Sequence, residues 1–426
     1  MQEVPSEADV LVIGTGAAGL SAAVAFAKAG FSVVVLGGAE ARGMGRTVAL
    51  FEASLRFYDA LGLWPRLASC AAKIEAIRMI DATGSRIPIP PLEFAASEIA
   101  LPAFGENIEN DKLVERLIDI AAETGNLSLG REWLTGIAYE TDRVCAMFDS
   151  GRQVRAKLLV AADGHKSTVR AKARIGARRW TYPQMALTVL TAHEKPHHGT
   201  SVEFHTRNGP CTLVPLPASG SEPHRSSIVW LMSAQEAARR KSLADASLAA
   251  EIEHEVGAIF GQMRLDGGCG GFPMTGLRVS RLTGRRIALI GEAAHVFPPL
   301  AAQGLNLGLR DIAALVDCVE TARTHGEDIG GERAMATYAE ARRADISLRT
   351  HGIDVLNRSL LVDFLPVDLV RGAGFLAFNM IGPLRRAIMR EGILPRGHLP
   401  PLMQKPRSFP KAEGLRRGAD KDRRTV

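Results

Sequence analysis

The residues best suited to chemistry lie in three glycine-centred segments far apart in the chain. The first, DVLVIGTGAAGLSAAVAFAKAG, places Gly14, Gly16 and Gly19 between an apolar run and an alanine-rich stretch. The second, KLLVAADGHKSTVR, ends an apolar run at Asp163-Gly164. The third, RRIALIGEAAHVFPPLAAQGLNLGLRD, ends another at Gly291-Glu292. In the first segment the glycines suit a bound pyrophosphate. Gly14 permits a tight turn out of a strand, Gly16 lets phosphate approach the backbone, and Gly19 lets the next helix pack close. Ala17 and Ala18 open that helix, whose N–H groups and dipole favour an anion. Asp163 and Glu292, each at the carboxyl end of an apolar run, are placed to accept hydrogen bonds from ligand hydroxyls.

Beyond Glu292, Pro298-Pro299 stiffens a loop and Gln303, Gly304, Leu305 and Asn306 open a helix. Its N-terminus offers positive potential to an anionic group. Asp311 sits two turns further in. His295 reads more readily as a small polar residue orienting the loop than as a general base. The chain has no GxSxG and no paired-carboxylate arrangement. With no protein nucleophile in sight, the chemistry falls to a bound cofactor, which the protein orients and shields from water.

One expected acid is missing. A second strand of this kind usually ends in Asp or Glu, which bonds the adenosine ribose. Here VVVL runs into Gly37-Gly38, and Glu40 is the first acid. Either Glu40 reaches back, or backbone and water hold the ribose.

These residues need elements to hold them. Val10 to Ile13, all apolar, reads as a buried parallel strand. A helix follows from about 17 to 29, then a strand from Phe31 to Leu36, which completes a βαβ unit. GRTVALFEASLRFYDALGLW reads as a helix with Leu50, Leu55, Tyr58 and Leu61 on one face, ended by Gly62. A polar, proline-bearing stretch reaches Pro102. Asn110 reads as an N-cap and Gly125 as a C-cap for the helix between them. RVCAMFDSGRQVRAKLLVAAD reads as a hairpin turning at Ser150-Gly151. From Trp180 to about Phe272 short alternating strands predict an antiparallel layer with one helix, ASLAAEIEHEVGAIFG. Gly267 to Gly271 precedes no helix and reads as a turn, not a second dinucleotide loop. The chain from about Gly304 to Arg390 reads as helical.

Composition sets the class. The 426 residues allow a large core, and 46% hydrophobic with 23% charged residues is ordinary for an enzyme in water. Five scattered cysteines without a CxxC argue for reduced thiols in a cytoplasmic setting and against a metal site. The first residues, MQEVPSEAD, lack an apolar h-region, so no secretory signal is read there. From Pro401 eight Lys/Arg stand against three acids, so this tail carries +5 of the net +6. It reads as a solvated, disordered end, with attraction to an anionic membrane surface as the sharper alternative. Nucleic-acid binding has no motif support. The stretch LLVDFLPVDLVRGAGFLAFNMIGP is the most apolar. Asp363, Asp368 and Arg371 argue against a membrane span, leaving packing on the body, on a partner subunit of a homodimer, or against a lipid.

The chain resembles the group A flavoprotein monooxygenases of the p-hydroxybenzoate hydroxylase type, and within them the ubiquinone-biosynthesis ring hydroxylases. The matches are GRTVAL with Arg46, LGLW, AADGHKSTVR and HVFPPLAAQGLNLGLRD. The resemblance implies an α/β fold: a Rossmann-like FAD-binding domain, an inserted antiparallel-sheet substrate domain and a helical C-terminal region. The expected boundaries are 1–178, 179–275, 276–400 and a 401–426 tail. It also implies that FAD is held by Gly14, Gly16, Ala17, Ala18, Gly19, Arg46, Asp163, Gly164, Gly291, Glu292, Pro299, Gln303, Gly304, Leu305 and Asn306. The family's last segment is Gly-Asp, so Glu292 is one methylene longer. NAD(P)H and O2 are the implied co-substrates, and an electron-rich phenolic ring takes one oxygen atom. The leading expectation is a polyprenylated phenol of quinone biosynthesis, handled in the cytoplasm or at the membrane's inner face. A soluble aromatic or polyketide substrate is the first alternative. A catalytically idle FAD-binding subunit of a biosynthetic complex is the second.

Overall fold

The computed structural model describes residues 4–38, 43–83, 90–206, 209–257, 259–298, 302–361, 382–394, 399–405 and 407. A parallel sheet forms the frame of the first domain. Ile287–Leu289, Gln153–Ala161, Glu7–Ile13, Val33–Leu36 and Leu127–Gly130 lie side by side in that order, all parallel. Their central residues are apolar because both faces are covered: Val10, Leu11, Val12 and Val33 to Leu36 are almost wholly buried. The helix Ala17–Lys28 covers one face, together with Asn110–Ala122 and Gln303–Thr324. Its alanines let it sit close to its neighbours. Its Ser21 Oγ meets Tyr58 Oη at 2.8 Å, so both hydroxyls are satisfied in the core. The strands Leu134–Tyr139 and Val144–Phe148 extend the sheet antiparallel, the second turning at Gly151 into Gln153–Ala161 as the sequence predicts.

A second, largely antiparallel sheet forms the other layer. Its order is His295–Val296, Met263–Val279, Ala177–His193, Arg225–Ser233, Gly209–Leu216, Thr200–Thr206, Ala76–Asp81 and Leu92–Ala95. The predicted layer of residues 179–275 is therefore joined by two strands from the polar stretch before Pro102. Ala76–Asp81 adds in parallel to the free edge of Thr200–Thr206, which satisfies backbone groups an edge strand would leave open. One face of the sheet, with Leu187, Val189, Phe204 and Trp230, packs on the helices Ala234–Lys241 and Asp245–Glu255. The Arg240 guanidinium lies 4.1 Å over the Trp230 ring.

Several local readings change. Thr47–Phe51 is a strand, paired antiparallel with Gly105–Glu109, and the helix begins only at Glu52. Strand pairing there outweighs the helical spacing of the apolar residues. Glu109, extended at φ −62° and ψ 128°, occupies the cap position before the helix Asn110–Ala122, and the C-cap is Glu123; Asn110 and Gly125 do not cap it. Gly267 to Gly271 lies inside the strand Met263–Val279, not in a turn. The glycines are there because another segment crosses the sheet: a Cβ on Gly268 would sit 2.2 Å from the Gly43 carbonyl oxygen, and one on Gly270 2.5 Å from that of Met44.

The tail also begins later than its charge suggests. Met403 is fully buried. The buried Arg407 pairs with Glu52 at 3.0 Å and Glu106 at 3.2 Å. Buried acids on the body thus take up one of the basic residues assigned to a solvated end. Residues 408–426, Glu40, Pro299 and most of the apolar stretch (362–381) lie outside the described residues. No helix among the described residues is long and apolar enough to cross a membrane.

The substrate-side sheet carries a pH-sensitive joint. His193 is buried, with Nδ1 2.7 Å from the Lys195 oxygen and Nε2 2.9 Å from Ser226 Oγ. Burial, chiefly, with His197 and His224 nearby, lowers its pKa to about 4. An unfolded histidine titrates near 6.5, so between these values the unfolded chain binds more protons. The stability His193 contributes at neutral pH is expected to drain away as pH falls from about 6.5 towards about 4. Urea midpoints taken across that window should fall with pH, and less steeply in His193→Asn.

Candidate functional site

The three glycine segments meet at the carboxyl ends of the parallel strands. Ile290 N donates to Ala161 O (3.0 Å), Ala162 N to Ile13 O (2.8 Å) and Gly14 N to Leu36 O (2.8 Å), so the edge is stitched across segments. Gly14 has φ +126°, and a Cβ there would lie 2.2 Å from the Ala162 carbonyl oxygen. A Cβ on Gly19 would lie 1.9 Å from Gly14 O. Gly14 therefore serves both the turn and the approach of the second segment, while Gly19 closes the helix onto the turn. Gly16 is the N-cap of Ala17–Lys28; it supplies no side-chain acceptor, and the first turn holds no acid. The helix dipole and its leading N–H groups are left for an external anion, as a pyrophosphate requires.

The third segment wedges in beside this helix. Gly291, at φ +55°, lies against Ala18 and Gly308: a Cβ on it would be 3.6 Å from Ala18 Cβ. The helix Gln303–Thr324 follows. Its N-cap, Ala302, is left-handed at φ 49°, again with no side-chain cap and no acid in the first turn. Two uncapped helix N-termini thus belong to one site, one from each end of the chain. Among the described residues, nothing lies within 4 Å of where a side chain at Gly304 would begin, which leaves room beside the helix start.

The completely buried Asp311 holds this arrangement. Oδ2 accepts from Gly291 N (3.0 Å) and lies 2.6 Å from His295 Nε2, while Oδ1 accepts from Arg342 Nε (2.8 Å). Burial pushes its carboxyl up, but the His295 and Arg342 charges outweigh that and hold it below its ordinary value. His295 is itself buried, its ring stacked on Phe297 at 5.2 Å. That geometry suits a loop-orienting histidine better than a proton acceptor for a ligand. The roles of Asp311 and Arg342 are not legible from spacing, because their partners lie 20 and 31 residues away in sequence.

Other expected contacts are redistributed. Asp163 Oδ2 accepts from Val169 N at 3.0 Å, so the carboxylate caps the short helix Thr168–Lys172. Burial raises its pKa. Its Oδ1 is buried and meets no donor, one acceptor that a ligand hydroxyl could satisfy. Gly164 adopts φ +75° beside it. The buried Arg170 braces the second segment to the third, donating to Ala293 O and His165 O, both at 2.7 Å. Glu292 is exposed, 3.9 Å from His165 Nδ1.

The Asn306 side chain is fully engaged. It donates to Ala49 O (2.7 Å) and Ala302 O (2.6 Å), and accepts from Phe51 N (2.9 Å) and Ser54 Oγ (2.6 Å). It staples the third segment to the strand Thr47–Phe51 rather than offering its amide to a ligand. Gln303 is likewise buried, its Oε1 accepting from Arg349 Nη1 at 3.0 Å. What these two positions leave for a cofactor is backbone. Leu305 packs partly against the core. Arg46 lies on the substrate-sheet side, its guanidinium 4.9 Å over Phe272. No cluster of His, Cys, Asp or Glu among the described residues could hold a metal.

Residues 7–347 match the family model for an FAD binding domain. The chain belongs to the FAD-dependent aromatic monooxygenases. It is 34% identical over 410 residues to the ubiquinone hydroxylase UbiL of Rhodospirillum rubrum, covering 93% of this chain and 92% of that one. It is 27% identical to the 3-demethoxyubiquinol 3-hydroxylase of Escherichia coli, covering 92% of this chain and all of that one. In fold it is similar to the p-nitrophenol 4-monooxygenase PnpA of Pseudomonas putida, with a TM-score of 0.75, 17% identity and coverage of 91% and 98%. The cradle described above fits FAD: an anion-ready helix for the pyrophosphate, the unpaired Asp163 oxygen and exposed Glu292 for hydroxyls, and an open helix start for the ring.

Two outcomes test this construction. Asp311→Ala removes the acceptor that Gly291, His295 and Arg342 share and leaves a buried charge unpaired, a loss of about 3–5 kcal/mol. A large drop in the urea midpoint and in retained flavin is expected. Glu292→Ala, at an exposed side chain, is expected to leave the urea midpoint unchanged while FAD affinity falls by about 1.5–3 kcal/mol, the range for a hydrogen bond to a charged group. Titration of flavin-stripped protein checks it, and Glu292→Asp should lose little.

Proposed function

We propose that this enzyme hydroxylates the ring of a polyprenylated phenol in ubiquinone biosynthesis, consuming NAD(P)H and O2. The observation that carries the proposal is the near-full-length similarity to a ubiquinone hydroxylase, at 34% identity over 93% of the chain. FAD, when bound, would supply the redox and oxygen chemistry, with NAD(P)H as reductant and O2 as the source of the ring oxygen. The chain's own residues bind, orient and exclude water. Gly16 and the helix behind it take the pyrophosphate, and the start of Gln303–Thr324 offers N–H groups and positive potential to the flavin ring. An apolar cluster built on Tyr182, Leu231 and Met274 packs with Phe272 and Phe297. Phe297 belongs to the third glycine segment and Phe272 lies under Arg46, so this cluster links the substrate sheet to the cofactor loops. It is a suitable wall for an aromatic ring and the start of its tail. A substrate with such a tail resides in a bilayer, which favours a peripheral approach to the membrane.

A prenyl chain gains roughly 0.8 kcal/mol per buried CH2, so a few isoprene units would dominate binding over the ring. Flavin reduction and ring hydroxylation, followed with NADH and NADPH in vesicles, are expected to need far lower concentrations of a prenylated phenol than of its tail-less analogue. Equal affinity for the two would remove the quinone-pathway reading and favour a soluble aromatic substrate. Absence of NAD(P)H-dependent oxygen consumption with either would favour an idle FAD-binding subunit.

A further inference from the structure

The strand Val33–Leu36 ends in glycine where an acid usually holds the adenosine, and the structure shows what stands there instead. Leu36 pairs with Gly130, so the chain leaving Leu127–Gly130 emerges beside Gly37 and Gly38. Three residues on is Trp133. A Cβ on Gly38 would lie 2.0 Å from the six-membered ring of the Trp133 indole, so the ring rests directly on the Gly38 backbone. Any side chain at 38, an acid included, would displace it. Gly37 is likewise pressed against Thr15, whose hydroxyl donates to Gly38 O at 2.8 Å. These contacts connect the indole to the glycine loop of the first segment.

Trp133 is nonetheless 63% exposed. Its backbone is fixed: Trp133 N donates to Asp149 Oδ1, and Asp149 N to Trp133 O, both at 3.0 Å. Glu132 beside it pairs with Arg152 at 2.7 Å. The loop therefore presents a large, flat, wetted aromatic surface from a pinned backbone, at the carboxyl ends of two adjacent parallel strands. In an open α/β sheet that crevice takes the dinucleotide.

We propose that Trp133 is the adenine platform for FAD: the purine stacks on the exposed face of the indole, and this contact stands in for the missing acid. The proposal rests on the FAD reading and adds the residue that selects FAD over FMN. Stacking needs only a π-face, so it holds the base without a carboxylate at the strand end.

The test uses the full-length protein stripped of flavin and titrated with FAD and with FMN, which lacks the adenosine. W133A is expected to weaken FAD about tenfold or more, the order that stacking one base on an aromatic ring supplies. W133F should retain most of the affinity. FMN should bind wild type and W133A equally. FAD affinity unchanged in W133A would overturn the proposal while leaving FAD binding intact. So would a parallel loss of FMN affinity, which would mark the indole as a structural support for the glycine loop. Failure of the FAD reading itself would look different, since the folded wild type would then bind neither flavin.

Discussion

The buried carboxylate of Asp311 carries the junction on which the cofactor crevice depends. Its two oxygens receive Gly291 N, His295 and Arg342, which come from a short 3-10 helix, a short strand and the long helix Glu332–Leu361. Gly291 in turn touches the helix of the first glycine motif, so the position of one carboxylate sets the spacing between two helix N-termini. Desolvating Asp311 is costly, and the protein offsets it with charge on both sides. The same charges continue outward. Asp345 accepts from Arg310 (3.1 Å), Arg342 (2.8 Å) and Arg349 (2.9 Å); burial pushes its carboxyl up, but the three guanidinium charges outweigh that and bring it down to about 2. Arg349 also holds Gln303, the first residue of the second N-terminus. The helices therefore present their open ends from a braced base, and neither end needs a side-chain cap.

A second constraint is the close approach of the segment 43–47 to the antiparallel sheet. Thr188 Oγ1 donates to Met44 O at 2.7 Å, and Thr47 Oγ1 meets Ser227 Oγ at 2.8 Å. Gly45, at φ +61°, comes so near Gly268 that a Cβ on it would lie 2.2 Å from the Gly268 oxygen. The chain carrying Arg46 is thus laid across the substrate sheet, and the glycine run 267–271 is the groove that accepts it. A ring bound beside this crossing would meet backbone rather than mobile side chains.

How far the sequence carries depends on whether partners are local. Gly14 and Gly19 are legible because a turn and a helix start within six residues demand them. The strand Val10 to Ile13 is legible because a strand buried on both faces has no polar residues to hide. The hairpin at Gly151 is legible because its two strands are adjacent. By contrast, Thr47–Phe51 reads as helix until Gly105–Glu109 is brought beside it. Asn306 reads as a ligand contact until Ala49, Phe51, Ser54 and Ala302 are seen to use every hydrogen bond it can make. Arg407 reads as part of a solvated tail until Glu52 and Glu106 are found buried at its docking site.

The sequence by itself determined the pyrophosphate-suited glycine loop and the layered α/β architecture, while FAD came from the family resemblance. The loop and the architecture rest on short-range demands: glycine where no Cβ fits, period-two or all-apolar strands, and helix starts without caps. Tertiary structure alone decided which polar residues remain open at the site. Hydrogen-bond capacity is finite, and partners recruited from 46 to 257 residues away consume it. That is why Asn306 and Gln303 become braces, Asp163 keeps one oxygen free, and an exposed indole stands where the second strand lacks its acid.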